Sequence, residues 1–336
     1  MKRSRVPTVT ALSIVLIVIV GTTFPGINVH AIESSALSVQ DGMTLGVAVS
    51  NPLSESEANS AKDAGATWIR VDVGIATSVQ QTYSIAQVSG LDMIGIVSYW
   101  VVDNPDSFTL QDWESAIQAV YSAYPKIRAW EIWNEPTCSK YQHGYMDGTP
   151  QRYFNILKVA YTVLKARDST LTILGVGGAQ LGVNGDLTFT ATVFSLGGGA
   201  YMDALAIHAY PYQLNAGETW GYYQELWSEQ LQQYAQFGKP LWITETGLRS
   251  DQASESDQSN YLSASYSFFK ALGIRELIWY EITDDGVAGD FSVGSWGLLR
   301  NDLTPKQSYD TFRSLAFHYA LTVTRRATPT NDTAFA

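Results

Sequence analysis

The sequence predicts an α/β fold, a single (β/α)8 (TIM) barrel, on three observations. Eight short apolar runs fall between residues 44 and 320 of this 336-residue chain. Segments at helical period fill the intervals between them. The span, about 275 residues, matches the roughly 250 that such a barrel takes. Near-continuous apolar strands alternating with helices imply a parallel sheet covered on its outer face. Eight of them favour closure over an open doubly wound sheet.

The predicted strands are Thr44–Ser50, Thr67–Val73, Met93–Tyr99, Ile127–Asn134, Leu171–Val176, Ala204–Ala209, Leu241–Thr244 and Glu276–Tyr280. Ser54-Glu55-Ser56-Glu57 reads as a capping box opening the first helix, and Gly65 stands near its end. Residues 76–90 carry a weak helical pattern. Trp113, Ile117, Val120, Tyr121 and Tyr124 recur at the spacing of a buried helical face, as do Phe154, Leu157, Ala160 and Leu164. Tyr261, Leu262, Phe269 and Leu272 mark the helix before the last strand. Pro305 is placed as the first residue of a final helix carrying Tyr309, Phe312 and Leu315.

Outside the barrel, Lys2, Arg3 and Arg5 precede the apolar run Ala11–Val20, and Val29-His30-Ala31 offers small residues for cleavage. Residues 1–31 are therefore expected to be a signal peptide, with an uncleaved anchor as the alternative, and 32–43 a linker. The segment 321–336, with a sequon at Asn331-Asp332-Thr333, is expected to be a disordered tail. Without residues 1–31 the chain keeps 18 basic against 32 acidic residues, a net charge of −14. That disfavours nucleic acid and anionic membranes as partners and favours a neutral one. Secretion is the expected localisation.

Cys138 is the sole cysteine, so no intrachain disulfide can form, and it is read as a tolerated free thiol. His143, His208 and His318 show no paired metal-ligand spacing, so no metal is expected. Gly175-Val176-Gly177-Gly178 lacks the dinucleotide fingerprint, because Gln180 takes the third glycine's place, and reads as a tight turn ending a strand. No cofactor is expected.

A barrel carries its chemistry at the C-terminal ends of its strands. There the sequence places Arg70 on strand 2, Asn134-Glu135 after strand 4, His208 and Tyr210 at strand 6, Glu245 at strand 7, and Trp279 and Glu281 at strand 8. Two carboxylates facing across an aromatic-walled mouth suit glycoside hydrolysis, where one acid is protonated and the other ionised. Arg70 and the Tyr210 hydroxyl are donors able to keep Glu245 ionised. Glu135, beside Trp133, is expected to have a raised pKa. Glu131 lies deeper on the inward side and is read as structural, paired with Arg70. Glu281, Asp284 and Asp285 read as solubilising loop acids, with a sugar contact as the lesser alternative. Trp100, Trp133 and Trp296 are candidates for stacking on sugar faces, Trp220 a weaker one, and Trp227 is assigned to the core.

"WNEP" after strand 4, "HAY" at strand 6 and "TETG" at strand 7 resemble the clan A glycoside hydrolases, over nearly all of residues 44–320. The resemblance implies a retaining (β/α)8 enzyme with Glu135 as acid/base, Glu245 as nucleophile and Asn134 on the sugar 2-hydroxyl. It further implies that His208 and Tyr210 line the glycone site, Arg70 supports the nucleophile, and Trp279 is a platform under the sugar. Within the clan the chain is similar to the cellulase-like families 5 and 39. Trp279-Tyr280-Glu281, Trp296-Gly297-Leu298-Leu299 and Pro305-Lys306 carry the family 39 likeness. Ser98-Tyr99-Trp100 stands where many family 5 enzymes have a histidine, which weakens family 5 and leaves the glycone open. The implied substrate is a neutral β-linked polysaccharide, with an endo-β-1,4-glucanase first and β-xylanase, β-xylosidase or β-mannanase behind. Rivals are a transglycosylase and a carbohydrate-binding barrel that has lost catalysis.

Overall fold

The structure, a computed structural model, describes residues 43–182, 184–211, 220–284 and 294–327. The expected leader, all but the last residue of the linker, Asp285 and the Asn331 sequon lie outside the described residues. Eight parallel strands close into one barrel in chain order. They are β1 Thr44–Ala48, β2 Trp68–Asp72, β3 Asp92–Val97, β4 Ala129–Ile132, β5 Thr172–Gln180, β6 Ala204–Ala209, β7 Leu241–Thr246 and β8 Glu276–Trp279. The helices between them are α1 Glu55–Asp63, α2 Thr77–Ser89, α3 Leu110–Ala123, α4 Pro150–Arg167, α5 Asn184–Ser195, α6 Trp220–Ala235, α7 Glu255–Ala271 and α8 Gln307–Ala327. Among the described residues, no helix is long and apolar enough to cross a membrane.

Local chemistry sets these boundaries. Ser54 accepts from the Glu57 N–H while the Glu57 carboxylate takes the Ser54 N–H, so the expected capping box opens α1. The same device opens α3 (Thr109, Asp112) and α7 (Ser254, Asp257). The weak pattern at 76–90 is a full helix, closed by Gly90 in the left-handed conformation. Pro305 does not begin the last helix. It is bridged to Leu299, and α8 starts two residues later. That helix runs on to Ala327, past the expected start of the tail at 321.

The core has two parts. Between barrel and helices lies a continuous apolar layer holding Trp113, Trp130, Trp227 and Phe269. Inside the barrel, Ile94, Leu174, Trp242 and Ile278 pack with the small residues Ala48, Ala129, Ala204 and Ala206. This plug fills the lower barrel, so polar side chains facing inward above it have one outlet, the mouth at the strands' C-terminal ends.

One acid sits at the opposite end. Glu276 starts β8, paired with Thr44 of β1. Glu276 Oε2 and Thr44 Oγ1 are buried without hydrogen-bond partners among the described residues. Burial pushes the Glu276 carboxyl up to about 8, only partly opposed by Arg275. A carboxyl with a raised folded pKa stabilises most fully below its unfolded value near 4.5, and that contribution is lost as pH rises through about 8. Glu276→Gln removes the charge and keeps the shape. It should leave stability near pH 4.5 almost unchanged and raise it by about 2 kcal/mol at pH 8.5, after discounting for partial solvent screening. Urea unfolding at the two pH values checks this.

Candidate active site

The acids reach the mouth through backbone that leaves ordinary strand geometry. β4 places Trp130 outward and Glu131 inward, and alternation alone would turn Trp133 inward too. Instead Trp133 has φ 72° and Glu135 φ 43°, left-handed values uncommon for bulky residues and frequent at functional sites. The turn sends the Trp133 ring away from the barrel, 5.7 Å from Trp113 of α3, with Nε1 donating to the Tyr141 carbonyl. Trp133 is therefore fully buried core and offers no face to a sugar. The same reversal brings Glu135 over the mouth.

β5 answers this distortion. The glycine-rich run does not end the strand; it forms a bulge through which β5 continues to Gln180. Val176, Gly177 and Gly178 have φ of 63°, 56° and 83°. The Gly177 carbonyl accepts the Glu135 N–H at 2.5 Å, tying the acid's backbone to the neighbouring strand. Gly178 lies so close under the His208 ring that a Cβ there would collide with it.

Around these turns one buried network gathers β2, β4, β6 and β7. Arg70 donates from Nε and Nη2 to the two oxygens of Glu131, at 2.7 and 3.1 Å. Its Nη2 also reaches Asn134 Oδ1 at 3.1 Å, and Nη1 reaches Glu245 Oε1 at 2.5 Å. Tyr210 donates to Glu245 Oε2 at 2.7 Å. His208 Nδ1 stands 2.8 Å from Glu135 Oε1 and 3.4 Å from Glu245 Oε2, while its Nε2 is 3.7 Å from Glu131 Oε1. The Thr244 hydroxyl adds a 3.3 Å bond to Glu131.

The charges follow from these contacts. Burial lowers the His208 pKa, but Glu245 and bonds to Glu131 and Glu135 outweigh it and raise it to about 9, so the ring is a cation at neutral pH. Burial raises Glu131, yet Arg70 and His208 overcome this and hold it near 2. Arg70 is held firmly protonated: burial opposes the charge, and Glu131 and Glu245 restore it. The raised pKa expected for Glu135 is not found. Burial pushes it up as expected, but bonds from His208 and Gln180 prevail, and the carboxyl lies below its ordinary value. The apolar neighbour behind that expectation, Trp133, faces the other way.

Arg70, Asn134, Glu135, His208, Tyr210 and Glu245 thus come together. His208 is fully buried beneath the carboxylates and does not itself line the cleft. The tryptophans divide. Trp100 is half-buried on the cleft wall, its Nε1 bonded to the Val73 carbonyl. Trp279 is fully buried, tilted against Tyr261 with Nε1 on the Trp296 carbonyl, and offers no face to a sugar. The next residue, Tyr280, reaches the cleft in its place. Trp296 is almost completely buried, its ring edge-on behind Tyr210 and Tyr280, and it backs the wall without presenting a stacking face. Trp220 packs on Trp227, Tyr261 and Phe268. Glu281 lines the cleft, whereas Asp284 is a buried partner of Lys306 at 2.7 Å.

Among the cleft residues that escaped the sequence reading are Asp72, Gln180 and Tyr141. Asp72 had a readable signal, since it follows Arg70 by two on β2 and must share its inward side. Gln180 sits after a bulge that strand periodicity cannot reveal. Tyr141 comes from an irregular loop.

Two cavities lie near the acids. One of about 390 Å³ lies toward β1, β2 and β8 and includes Glu245, Asp72 and Tyr280. The other, of about 530 Å³, is lined by Thr137, Cys138, Gln180 and Asp186, beside Glu135. An oxygen of Glu135, an oxygen of Glu245 and a His208 nitrogen lie within 4.8 Å of one another, spacing that would also admit a cation. The protonated ring and the adjacent guanidinium already neutralise these carboxylates, so the donor set does not fit one.

Two glutamates from β4 and β7 facing each other across a closed (β/α)8 mouth define the clan A glycoside hydrolase architecture. Solved structures agree at the level of fold. A family 39 glycoside hydrolase from Bacteroides cellulosilyticus WH2 superposes with a TM-score of 0.61 at 23% identity, over 81% of this chain and 63% of its own. Xylanase 10B from Thermotoga petrophila RKU-1, solved with xylobiose, gives 0.60 at 15% identity, over 82% and 94%. Bacteroides uniformis β-glucuronidase 2 gives 0.60 at 17%, over 81% and 35%. The chain thus spans less than two thirds of the first and about a third of the last. No curated protein sequence matches it. The sequence model of the cellulase family, glycosyl hydrolase family 5, matches residues 93–284, and the chain belongs to that family. The absent histidine after β3 does not remove it.

Gly178→Ala tests the bulge. A methyl group at φ 83°, driven into the His208 ring, should displace Glu135. Turnover should fall by about 100-fold, the scale of an ångström's misplacement, with the barrel's circular dichroism retained. A variant with wild-type kinetics would show that the glycine is not needed there.

Proposed function

We propose that the protein is a retaining glycoside hydrolase that cleaves a neutral β-linked polysaccharide, and most specifically an endo-β-1,4-glucanase. The observation that carries this reading is the carboxylate pair: oxygens of Glu135 and Glu245 come within 4.8 Å. Retaining enzymes hold their carboxyl groups about 5–5.5 Å apart, and inverting ones about 6.5–9.5 Å to admit a water. Glu245, positioned by its bonds from Arg70 and Tyr210, attacks the anomeric carbon. Glu135 gives a proton to the departing oxygen, then takes one from the water that releases the sugar. Asn134 lies beside Glu135 with its oxygen fixed by Arg70, which leaves its amide N–H groups for the sugar 2-hydroxyl. A sugar ring closing the cleft strips water from Glu135 and moves it toward the protonated form that the first step requires.

Endo action is supported by the open cavity at Glu245 and by a second cavity lined by Gln180, the residue bonded to Glu135, which together extend the cleft beyond one sugar. The glucan preference rests on the family, and xylan and mannan are its nearest competitors. A panel of cellulose, β-1,3-glucan, xylan, mannan and aryl glycosides, with product lengths measured, decides among them. The mechanism has a sharper test. Glu245→Gly should lose more than about 10⁴-fold in hydrolysis, and added azide should restore turnover with an α-glycosyl azide as product. For Glu135→Ala, azide should give the β-azide instead. Identical product anomers from both variants would exclude these roles. Export of the chain, supported by its basic-then-apolar start, is checked by N-terminal sequencing of protein from the culture medium.

A further inference from the structure

Within that reading, the cavity beside Glu245 has a chemistry of its own. Among the described residues its single lining cation is Arg70, and every nitrogen of that guanidinium is committed to Glu131, Glu245 or Asn134. Its acids are differently placed. Glu245 is bonded by Arg70 and Tyr210. Asp72 follows Arg70 by two residues on β2, so it rises from the same inward side, one layer closer to the mouth. Solvent reaches it there, and its carboxylate makes no hydrogen bond or ion pair among the described residues.

Asn51 lies alongside. It donates its amide N–H to the Asp72 main-chain carbonyl at 2.7 Å, and its Oδ1 is buried without a partner. The wall therefore presents, in the Asp72 carboxylate, an acceptor for which the described residues supply no donor, with the unpartnered Asn51 Oδ1 behind it. Enclosing walls push the Asp72 carboxyl up to about 6, Arg70 opposes this, and Glu245 and Glu131 add to it; a further negative charge would meet the same repulsion. Trp100, its ring fixed through Nε1, and Tyr280 provide apolar faces on the same cavity.

We propose that Asp72, with Asn51 beside it, is the specificity-determining residue on this side of the cleft, accepting hydroxyl hydrogens from a neutral sugar and rejecting one that carries a carboxylate. The inference rests on the glycosidase reading. It separates this chain in substrate class from the β-glucuronidases whose fold it shares.

The test uses the intact protein and Asp72→Asn, which keeps size and removes charge, with thermal unfolding to confirm that both are folded. The best neutral aryl β-glycoside is compared with the aryl β-glucuronide. Wild type should favour the neutral substrate by more than a hundredfold. Asp72→Asn should raise KM for it about tenfold, the scale of one charged hydrogen bond, with kcat little changed, and should narrow the preference at least tenfold. Unaltered KM and preference, or a wild type that uses the glucuronide equally well, would overturn the assignment. Calorimetric titration with cellobiose, xylobiose and glucuronic acid separates this from failure of the catalytic reading. A protein that turns over nothing, yet binds the neutral disaccharides and loses that binding in Asp72→Asn, contradicts catalysis and keeps the assignment. Disaccharide binding unaffected by the change sinks it whatever the turnover.

Discussion

The site depends on one buried carboxylate. Glu131 is fully enclosed inside the barrel, bonded to Arg70 and 3.7 Å from the His208 ring as an ion-pair partner. Without it, two cations would sit 3.3 Å apart through Arg70 Nη2 and His208 Nε2 with nothing between them. With it, each cation has a fixed inner anchor and an outer end that reaches a carboxylate at the mouth. Arg70 reaches Glu245, and His208 reaches Glu135. A buried ion pair of this kind is poor evidence for stability, because desolvation offsets much of the attraction. Its evident use here is orientation: one acid deep in the barrel sets the positions of two acids at the rim.

The backbone carries a matching constraint. A regular β4 would bury a tryptophan in the barrel mouth and leave Glu135 without a fixed approach. The left-handed turns at Trp133 and Glu135 resolve this at the expense of local strain. They persist because the surroundings hold them: the Trp133 ring packs among Phe108 and Trp113, and Gly177 receives the Glu135 N–H. Two glycines in β5 make the approach possible, one under the Trp133 carbonyl and the other under the His208 ring. The strained loop and the glycine bulge are parts of one device.

That device also marks what can be read from sequence. Strand count, helix spacing and the positions of Glu135 and Glu245 at strand ends were legible, because periodicity and strand-end placement survive in the linear order of residues. Arg70 with Glu131 was legible too, since two opposite charges on inward faces must meet inside a closed barrel. The tryptophans were not. Alternation would turn Trp133 inward, and it fails where φ turns positive. The platform role of Trp279 comes from resemblance, whereas alternation with the inward Ile278 turns it outward into the layer beneath the helices. The glycine run looked like a chain reversal because a bulge and a turn draw on the same residues. The Glu135 pKa was misjudged for the same reason: its apolar neighbour in sequence is not its neighbour in space.

The proposed mechanism requires Glu135, a carboxyl held below its ordinary pKa, to donate a proton. Three glutamates at the centre face two cations, so the cluster of Glu131, Glu135, Glu245, Arg70 and His208 carries one excess negative charge when all are ionised. Glu245 must keep its charge to attack, and Glu131 cannot be protonated without releasing both cations. Glu135 is the member nearest solvent and the one whose protonation disturbs least, since His208 can donate to one oxygen while the other carries hydrogen. In the proposed glycosyl-enzyme the Glu245 charge is gone, and the largest of the influences raising His208 goes with it. Glu135, ionised after giving up its proton, then has fewer negative neighbours and can act as base. The shift between the two roles needs no movement of the barrel, only the loss and return of one charge on the opposite strand.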